Sequence, residues 1–408
     1  MNFGLNDHQK LKKMSKIPSP ASKSESKRTN PSTELPEVLQ AVPQLSGKPK
    51  IAIVGAGISG MMSALFLHFA GAEVTLFDRH QAAQEASWAG GGIVSPMYPW
   101  RYPDAVNDLA TVSQQHFPAL VEWLKNGTGI DPELLDSGML MLDGEEAFEA
   151  EVWCKRYGHK LEVLAPEFRN LVEPRLESSA ELALWMPEIK QVRNPRLMKS
   201  LKTALSQLAI PILESTPVQG MWQASASRTV KGVEAEVKGK LQKLPFDQVV
   251  ITTGAWTADL VPEAEIYPVK GQMLLFDTTP GFLKHMVMKK GRYIIPRKDG
   301  RVLVGSTVEP QAGFDKTTTA EAEAELKAFA FEHYPELRMF EMETHWAGLR
   351  PGKENTVPYI CQHPNYDNVY LNAGHFRNGV VLSIGAAQLL MQIISKQAIS
   401  IDPLHLIR

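Results

Sequence analysis

Gly55, Gly57 and Gly60 stand in G-x-G-x-x-G spacing, and an acid, Asp78, follows about 20 residues later. These residue types at these intervals suit a dinucleotide. Gly55 permits a tight turn, Gly57 lets a pyrophosphate approach the backbone, and Gly60 lets a helix pack close to its strands. Asp78 is placed to accept hydrogen bonds from a ribose diol. The spacing alone is weak evidence, but its flanks agree with it. Residues 51–54 are an apolar run of strand length, residues 61–70 suit a buried helix with Gly71 as C-cap, and residues 74–77 read as a second strand. The helix N-terminus would offer N–H groups and a positive dipole end to phosphates. The motif does not choose between NAD and FAD.

Further segments carry possible chemistry. Three successive glycines at 90–92 read as backbone lying against a flat cofactor. The strand-like VVITTGAW meets the same surface at Gly254. A strand, a turn and a helix starting near Gly379 would aim a second positive helix end at a ligand; beside a flavin it would favour hydride acceptance. An ordinary second βα unit is the plainer reading. Arg350 lies between Gly348 and Gly352, and arginine is the usual bidentate clamp for a carboxylate. Arg377 lies in the closing turn, and Tyr293 in a β-rich stretch. A surface position is the commoner fate of any one arginine. His345 and His375 stand apart and read as structural. No metal cluster, P-loop or G-x-S-x-G element is visible.

The elements that must position these residues follow from length and pattern. A chain of 408 residues exceeds one simple core, so two domains are expected. A net charge of −2 gives no hint of nucleic-acid binding. Cys154 and Cys361 form no disulfide framework, which fits a cytoplasmic location. No apolar run reaches the roughly 20 residues of a spanning helix, and 380–394 reads as a core helix. Residues 1–48, rich in Lys, Ser and Pro, are expected to be a disordered basic tail, or in part an early start with Met14 as a later one. Helices are expected at 105–126, 196–208 and 319–334. Strands are expected at 138–142, 183–185, 210–213, 218, 248–253 and 369–372, with alternating β structure from 267 and a hairpin turn at Lys298-Asp-Gly300. The fold class is α/β (α+β overall): a Rossmann-like cofactor domain from 49–110, 190–265 and 345–403, and a β-rich substrate domain with an antiparallel sheet and helices from 111–189 and 266–344.

Seven segments together resemble the D-amino-acid oxidase-type FAD oxidoreductases, and among them the glycine-oxidase-like members of thiamine biosynthesis. They are IVGAGISG, ASWAGGGIVSPMYPWRY, VRNPRLMKSL, PVKGQM, GRYIIPRKDGRVLVGSTVE, HWAGLRPG and GHFRNGVVLS. The resemblance runs from about residue 49 to the C-terminus. It implies FAD rather than NAD, and oxidation of glycine by O2 and water to glyoxylate, ammonia and hydrogen peroxide through an imine; with no cysteine in an evident attachment motif, the FAD is expected to be held non-covalently. Sarcosine or D-amino-acid oxidation is the alternative, and an FAD-binding maturation protein without turnover is the second. Similarity places the carboxylate clamp on Arg350, a hydroxyl contact on Tyr293, Arg377 at the flavin and substrate face, and Val308 in the substrate pocket. It assigns cofactor contact to Gly55, Ala56, Gly57, Ile58, Ser59, Gly60, Asp78 and Arg79. It does so too for Ser87, Trp88, Ala89, Gly91 and Gly92, for Val218, Thr253, Gly254 and Trp256, and for His375, Arg377, Asn378, Gly379, Val380 and Val381. A homo-oligomer and a hand-off to thiazole synthesis are further implications. The sequence departs from the family pattern at Cys361 (commonly Gly), at Ser383-Ile-Gly (usually Ala-Pro) and at Val308 (often larger).

Overall fold

The apolar run at 51–54 forms the buried part of a central strand, Lys50–Val54. Continuous burial is what a parallel strand covered on both faces requires. In the computed structural model, which describes residues 34–224 and 227–398, this strand lies within a six-stranded sheet. The strand order is Tyr359–Gln362, Val369–Ala373, Gln248–Ile251, Lys50–Val54, Glu73–Phe77, Ile212–Leu213. Only the Tyr359–Gln362 edge runs antiparallel. Helices Ile58–Phe69 and Gly379–Ile394 pack against this sheet and each other, sharing one apolar core.

The β-rich remainder forms an eight-stranded sheet. Its order is Glu341–Gly352, Tyr267–Asp277, Val302–Gly305, Arg292–Pro296, Met286–Lys289, Met139–Met141, Ala183–Met186, Glu162–Leu164. The expected hairpin is present: Arg292–Pro296 pairs antiparallel with Val302–Gly305, with Tyr293 opposite Gly305. A third sheet of three antiparallel strands comprises Val218–Gln223, Val230–Val237 and Lys240–Pro245. Its last two strands escaped sequence reading because lysines and glutamates blur their alternation, although Lys238-Gly239 supplies a positive-φ turn between them.

Four expectations need correction. Residues 34–48, expected within a disordered tail, include the helix Glu37–Gln40 and lie on the body. Leu35, Val38, Leu39 and Val42 recur at helical spacing, and the last three are buried in the core of the first sheet. The basic composition of the first 48 residues hid that short apolar face; residues 1–33 lie outside the described residues. Residues 345–352 form the end of the 12-residue strand Glu341–Gly352, so the boundary at 344 cuts a strand of the eight-stranded sheet. The boundary at 110 cuts helix Asp104–Thr128, whose Leu109, Phe117, Leu120 and Leu124 share the core of the six-stranded sheet. Finally, the stretch to 189 contains helices Ala147–Tyr157 and Pro166–Val172, which sequence reading passed over.

Leu39 is 2% exposed, so Leu39→Ala is expected to lower unfolding free energy by about 2–5 kcal/mol. Urea denaturation checks this, and a loss below about 0.5 kcal/mol would place residues 34–48 off the body.

Candidate active site

A cavity of about 530 Å³ opens where the carboxyl ends of the parallel strands face the eight-stranded sheet. That is the expected ligand position in an open α/β sheet. One wall is the glycine turn. Gly55 adopts φ +105°, and a side chain there would reach within 2.5 Å of the Thr252 carbonyl. A side chain at Gly60 would strike the Gly55 carbonyl, so this glycine sets the helix against the strand. Gly57 precedes the helix without a side-chain cap, and an added Cβ there would meet only Ser87 Oγ at 3.1 Å. Space is thus kept at a helix N-terminus, as a pyrophosphate requires. Asp78 accepts the N–H of Ala56 (3.0 Å) and of His80 (2.9 Å), so it braces the turn as well as facing the cavity.

The second helix end is also present. Asn378 precedes Gly379–Ile394 without a side-chain cap, and Gly379 and Val380 line the cavity. Two positive dipole ends therefore meet one cavity. Beside them His375 donates from Nε2 to Asn372 Oδ1 (2.7 Å), which leaves Nδ1 as a buried acceptor without a partner. Burial pushes the ring down to about 4, so it is neutral near pH 7. Asn194, also in the wall, donates to Ser87 O (2.8 Å) and leaves Oδ1 without a partner. Such orphaned buried acceptors suit the hydroxyl or N–H donors of a bound group.

The glycine loop is held from behind. Arg297, buried, donates to Gly91 O (2.8 Å), Val192 O (3.1 Å) and Gln191 Oε1 (2.6 Å). Trp346 Nε1 donates to Ala89 O at 3.1 Å. Gly91 leaves room for the Tyr293 ring, since an added Cβ would lie 3.0 Å from it.

At the eight-stranded-sheet end stand Arg350, Arg377, Tyr293, Met97 and Met273. Arg350 donates from Nη2 to Ser306 Oγ (2.6 Å) and from Nη1 to Thr307 O (3.2 Å) and Lys270 O (3.4 Å). A side chain at Gly271 would strike its guanidinium. Arg377 donates to Gly291 O (2.8 Å). Among the described residues neither arginine forms an ion pair; their oxygen partners are neutral. Burial, and then the charge of Arg377, push the Arg350 guanidinium down to about 10, which leaves it charged near neutral pH.

Most expected site residues line the cavity: Ala56, Ile58, Ser59, Asp78, Arg79, Ser87, Ala89, Gly92, Val218, Thr253, Gly254 and Trp256, besides those described above. Arg79 lies over the Trp256 ring at 3.7 Å. Five stand off the wall. Gly60 packs on the turn, Trp88 meets Trp346 edge to face, and Val381 is buried in its helix. Asn378 is buried behind the turn, with Nδ2 lacking a partner. Val308 is 49% exposed and lines a smaller second cavity instead. Sequence reading missed Asn194, Arg297, Ser306 and Thr307, because each acts through a contact more than 40 residues away in the chain.

Fold and cavity together define a dinucleotide-dependent oxidoreductase. The sequence model of the FAD dependent oxidoreductase family, DAO, matches residues 50–393, and the chain belongs to that family. It is 43% identical over 359 residues to a glycine oxidase of Pseudomonas aeruginosa, covering 87% of this chain and 97% of that one. The crystal structure of glycine oxidase from Geobacillus kaustophilus superposes with a TM-score of 0.79 at 28% identity, covering 87% and 97% of the two chains. A bifunctional protein ThiO/ThiG of Synechocystis sp. is 29% identical, over 86% of this chain and 52% of that protein. The glycine turn, the two helix ends and the orphaned acceptors fit the FAD that this family uses.

The His375 ring carries a pH prediction. Its folded value of about 4 lies below the ordinary histidine value near 6.5, so the unfolded chain binds its proton first as pH falls. The contribution is intact above 6.5 and is lost as pH falls through 4, by on the order of 3 kcal/mol. Urea midpoints from pH 7 to 4 should therefore fall less steeply for His375→Gln than for the wild type; equal slopes would contradict the buried neutral ring.

Proposed function

We propose that this protein is an FAD-dependent oxidase of small amino acids, with glycine as its substrate. The observation that carries the reading is the pair of guanidinium groups, Arg350 and Arg377, recessed at one end of a dinucleotide cavity without an ion-pair partner among the described residues. A cation held on neutral acceptors is ready for a carboxylate. The extensive identity to a glycine oxidase supports glycine in particular.

The chain's own residues would divide the work as follows. Arg350 takes the substrate carboxylate, its guanidinium already oriented by Ser306, Thr307 and Lys270. Tyr293 lines the same end of the cavity and would place its hydroxyl beside the bound carboxylate. Arg377 adds a second positive charge across the site. Holding the carboxylate fixes the α-carbon in place, which is an orientation effect rather than acid–base catalysis. Bound FAD supplies hydride acceptance from the amine-bearing carbon of the neutral amine, with O2 as the final acceptor and hydrogen peroxide as its product. The imine left behind hydrolyses to glyoxylate and ammonia, or passes to thiazole synthesis. The match to part of a bifunctional relative is consistent with such a hand-off.

In this reading the six-stranded sheet and its helices hold the cofactor non-covalently, and the eight-stranded sheet supplies the substrate side. A homo-oligomer in the cytoplasm completes the proposal; the low cysteine content suits a reducing compartment. Among the described residues no helix is long and apolar enough to cross a membrane.

Arg350→Ala is expected to raise KM for glycine about 30-fold or more while the purified protein retains its FAD. Steady-state oxygen consumption together with the flavin absorbance of the variant checks both halves. An unchanged KM would remove Arg350 from the carboxylate site.

A further inference from the structure

Lys270 is a buried ammonium that the reaction described above does not use. Its side chain is 2% exposed, and it pairs with Asp315 Oδ2 at 3.0 Å and Glu309 Oε2 at 3.6 Å. Lysine is seldom buried this completely unless it is paired, and a buried pair is weak evidence of a stability role. Its position beside the clamp suggests another task. Lys270 and Glu309 join their backbones through two hydrogen bonds, Lys270 N–H to Glu309 O (3.2 Å) and Glu309 N–H to Lys270 O (2.9 Å). The three acceptors of Arg350 lie on these same two segments: Lys270 O on one, Thr307 O and Ser306 Oγ on the other.

Glu309 is the carboxylate to consider. Its Oε1 accepts from Gln272 Nε2 (2.9 Å) and from the Thr307 hydroxyl, while the carbonyl of that same threonine accepts from Arg350. The Glu309 side chain also lines the second cavity together with Arg377 and Ser306. Its charge is near enough to favour the protonated form of Arg350. Glu309 shares that cavity with Arg377, yet among the described residues its carboxylate pairs with neither arginine: Thr307 and Gln272 hold Oε1, and Lys270 stands 3.6 Å from Oε2. Asp315 has other anchors: the Thr317 N–H and hydroxyl, each at 2.9 Å, hold its carboxylate in place.

We propose that Lys270 is a positioning residue that holds the Glu309 carboxylate off Arg350 and Arg377, so that the clamp stays open for the carboxylate of the substrate. Glu309 is then an internal competitor kept in check. This inference rests on the reading of Arg350 as the carboxylate clamp. Without Lys270, Glu309 loses its one cationic partner among the described residues, and the Oε2 that faced it is free to turn to the clamp and close it from within. Apparent affinity falls in proportion to the fraction of molecules whose clamp stays open.

The test uses the FAD-loaded full chain, with steady-state glycine oxidation and, as a non-reacting probe, acetate titrated against the flavin spectrum. Lys270→Met preserves much of the side-chain volume and removes the charge. Its KM for glycine and its dissociation constant for acetate are expected to rise about tenfold or more, with kcat changed less than about threefold and FAD content unchanged. In Lys270→Met/Glu309→Gln the competitor is gone while its acceptor oxygen remains, and both constants should return to within about twofold of the wild type. A merely structural role would not be rescued by removing a second polar contact. The inference is overturned if Lys270→Met binds acetate and glycine as the wild type does, or if the double variant is no better than the single one. Lys270→Gln stands in if the methionine variant does not fold, with the same results required. Arg350→Ala separates the two claims: if it binds acetate like the wild type, the clamp reading itself fails. If Arg350→Ala is weakened and Lys270→Met is not, only the role of Lys270 fails.

Discussion

A guanidinium removed from water without an anion is costly, because neutral hydrogen bonds only partly replace its hydration. Arg350 is half-buried at the cavity end with only neutral partners, and much of the site is built to hold it there. Gly271 must lack a side chain so that the guanidinium can cross its strand. Ser306, Thr307 and Lys270 must face it with three oxygens. The paired register of Tyr267–Asp277 with Glu341–Gly352 places Val269 opposite Arg350 and Gly271 opposite Gly348, which aligns these groups across one antiparallel ladder. The neighbouring charge of Arg377 raises the cost further. Such an arrangement is explained when a small anionic ligand completes it.

The cofactor side answers the opposite need, space for negative charge. Two uncapped helix N-termini supply a positive potential, and the glycines keep side chains out of the way. The glycine loop is fixed by groups outside the cavity lining, buried Arg297 on Gly91 O and half-buried Trp346 on Ala89 O. Arg297 and Trp346 belong to the eight-stranded sheet or its hairpin turn, whereas the loop follows directly from the nucleotide-binding unit. The position of the loop thus depends on both sheets together.

Legibility in the sequence tracked the range of the interaction. The glycine fingerprint, both strands around it and the last helix are set by contiguous residue patterns, and they stand where the pattern placed them. Arg350 and Tyr293 were legible because glycines bracket the first and alternation places the second. The strand character of 341–352 was obscured by Gly348, Pro351 and Gly352, whose propensities argue against a strand that its long partner nonetheless imposes. Asn194 and Arg297 act across about 105 residues or more of chain, and no local pattern signals such contacts. The same holds for the pair of Lys270 with Asp315, 45 residues apart. Val308 lies past the strand Val302–Gly305, between buried Thr307 and the Lys270–Glu309 bridge, and its side chain faces the second cavity rather than the first.

The central claim is that this cavity brings a small amino acid to bound FAD through its carboxylate. The most direct measurement mixes the FAD-loaded protein with glycine in the absence of oxygen and follows the flavin absorbance near about 450 nm. The account predicts loss of that absorbance with glycine and its return on admitting air. Unchanged absorbance with glycine, sarcosine and D-alanine alike would contradict it, and loss with sarcosine or D-alanine but not glycine would contradict the assignment of glycine.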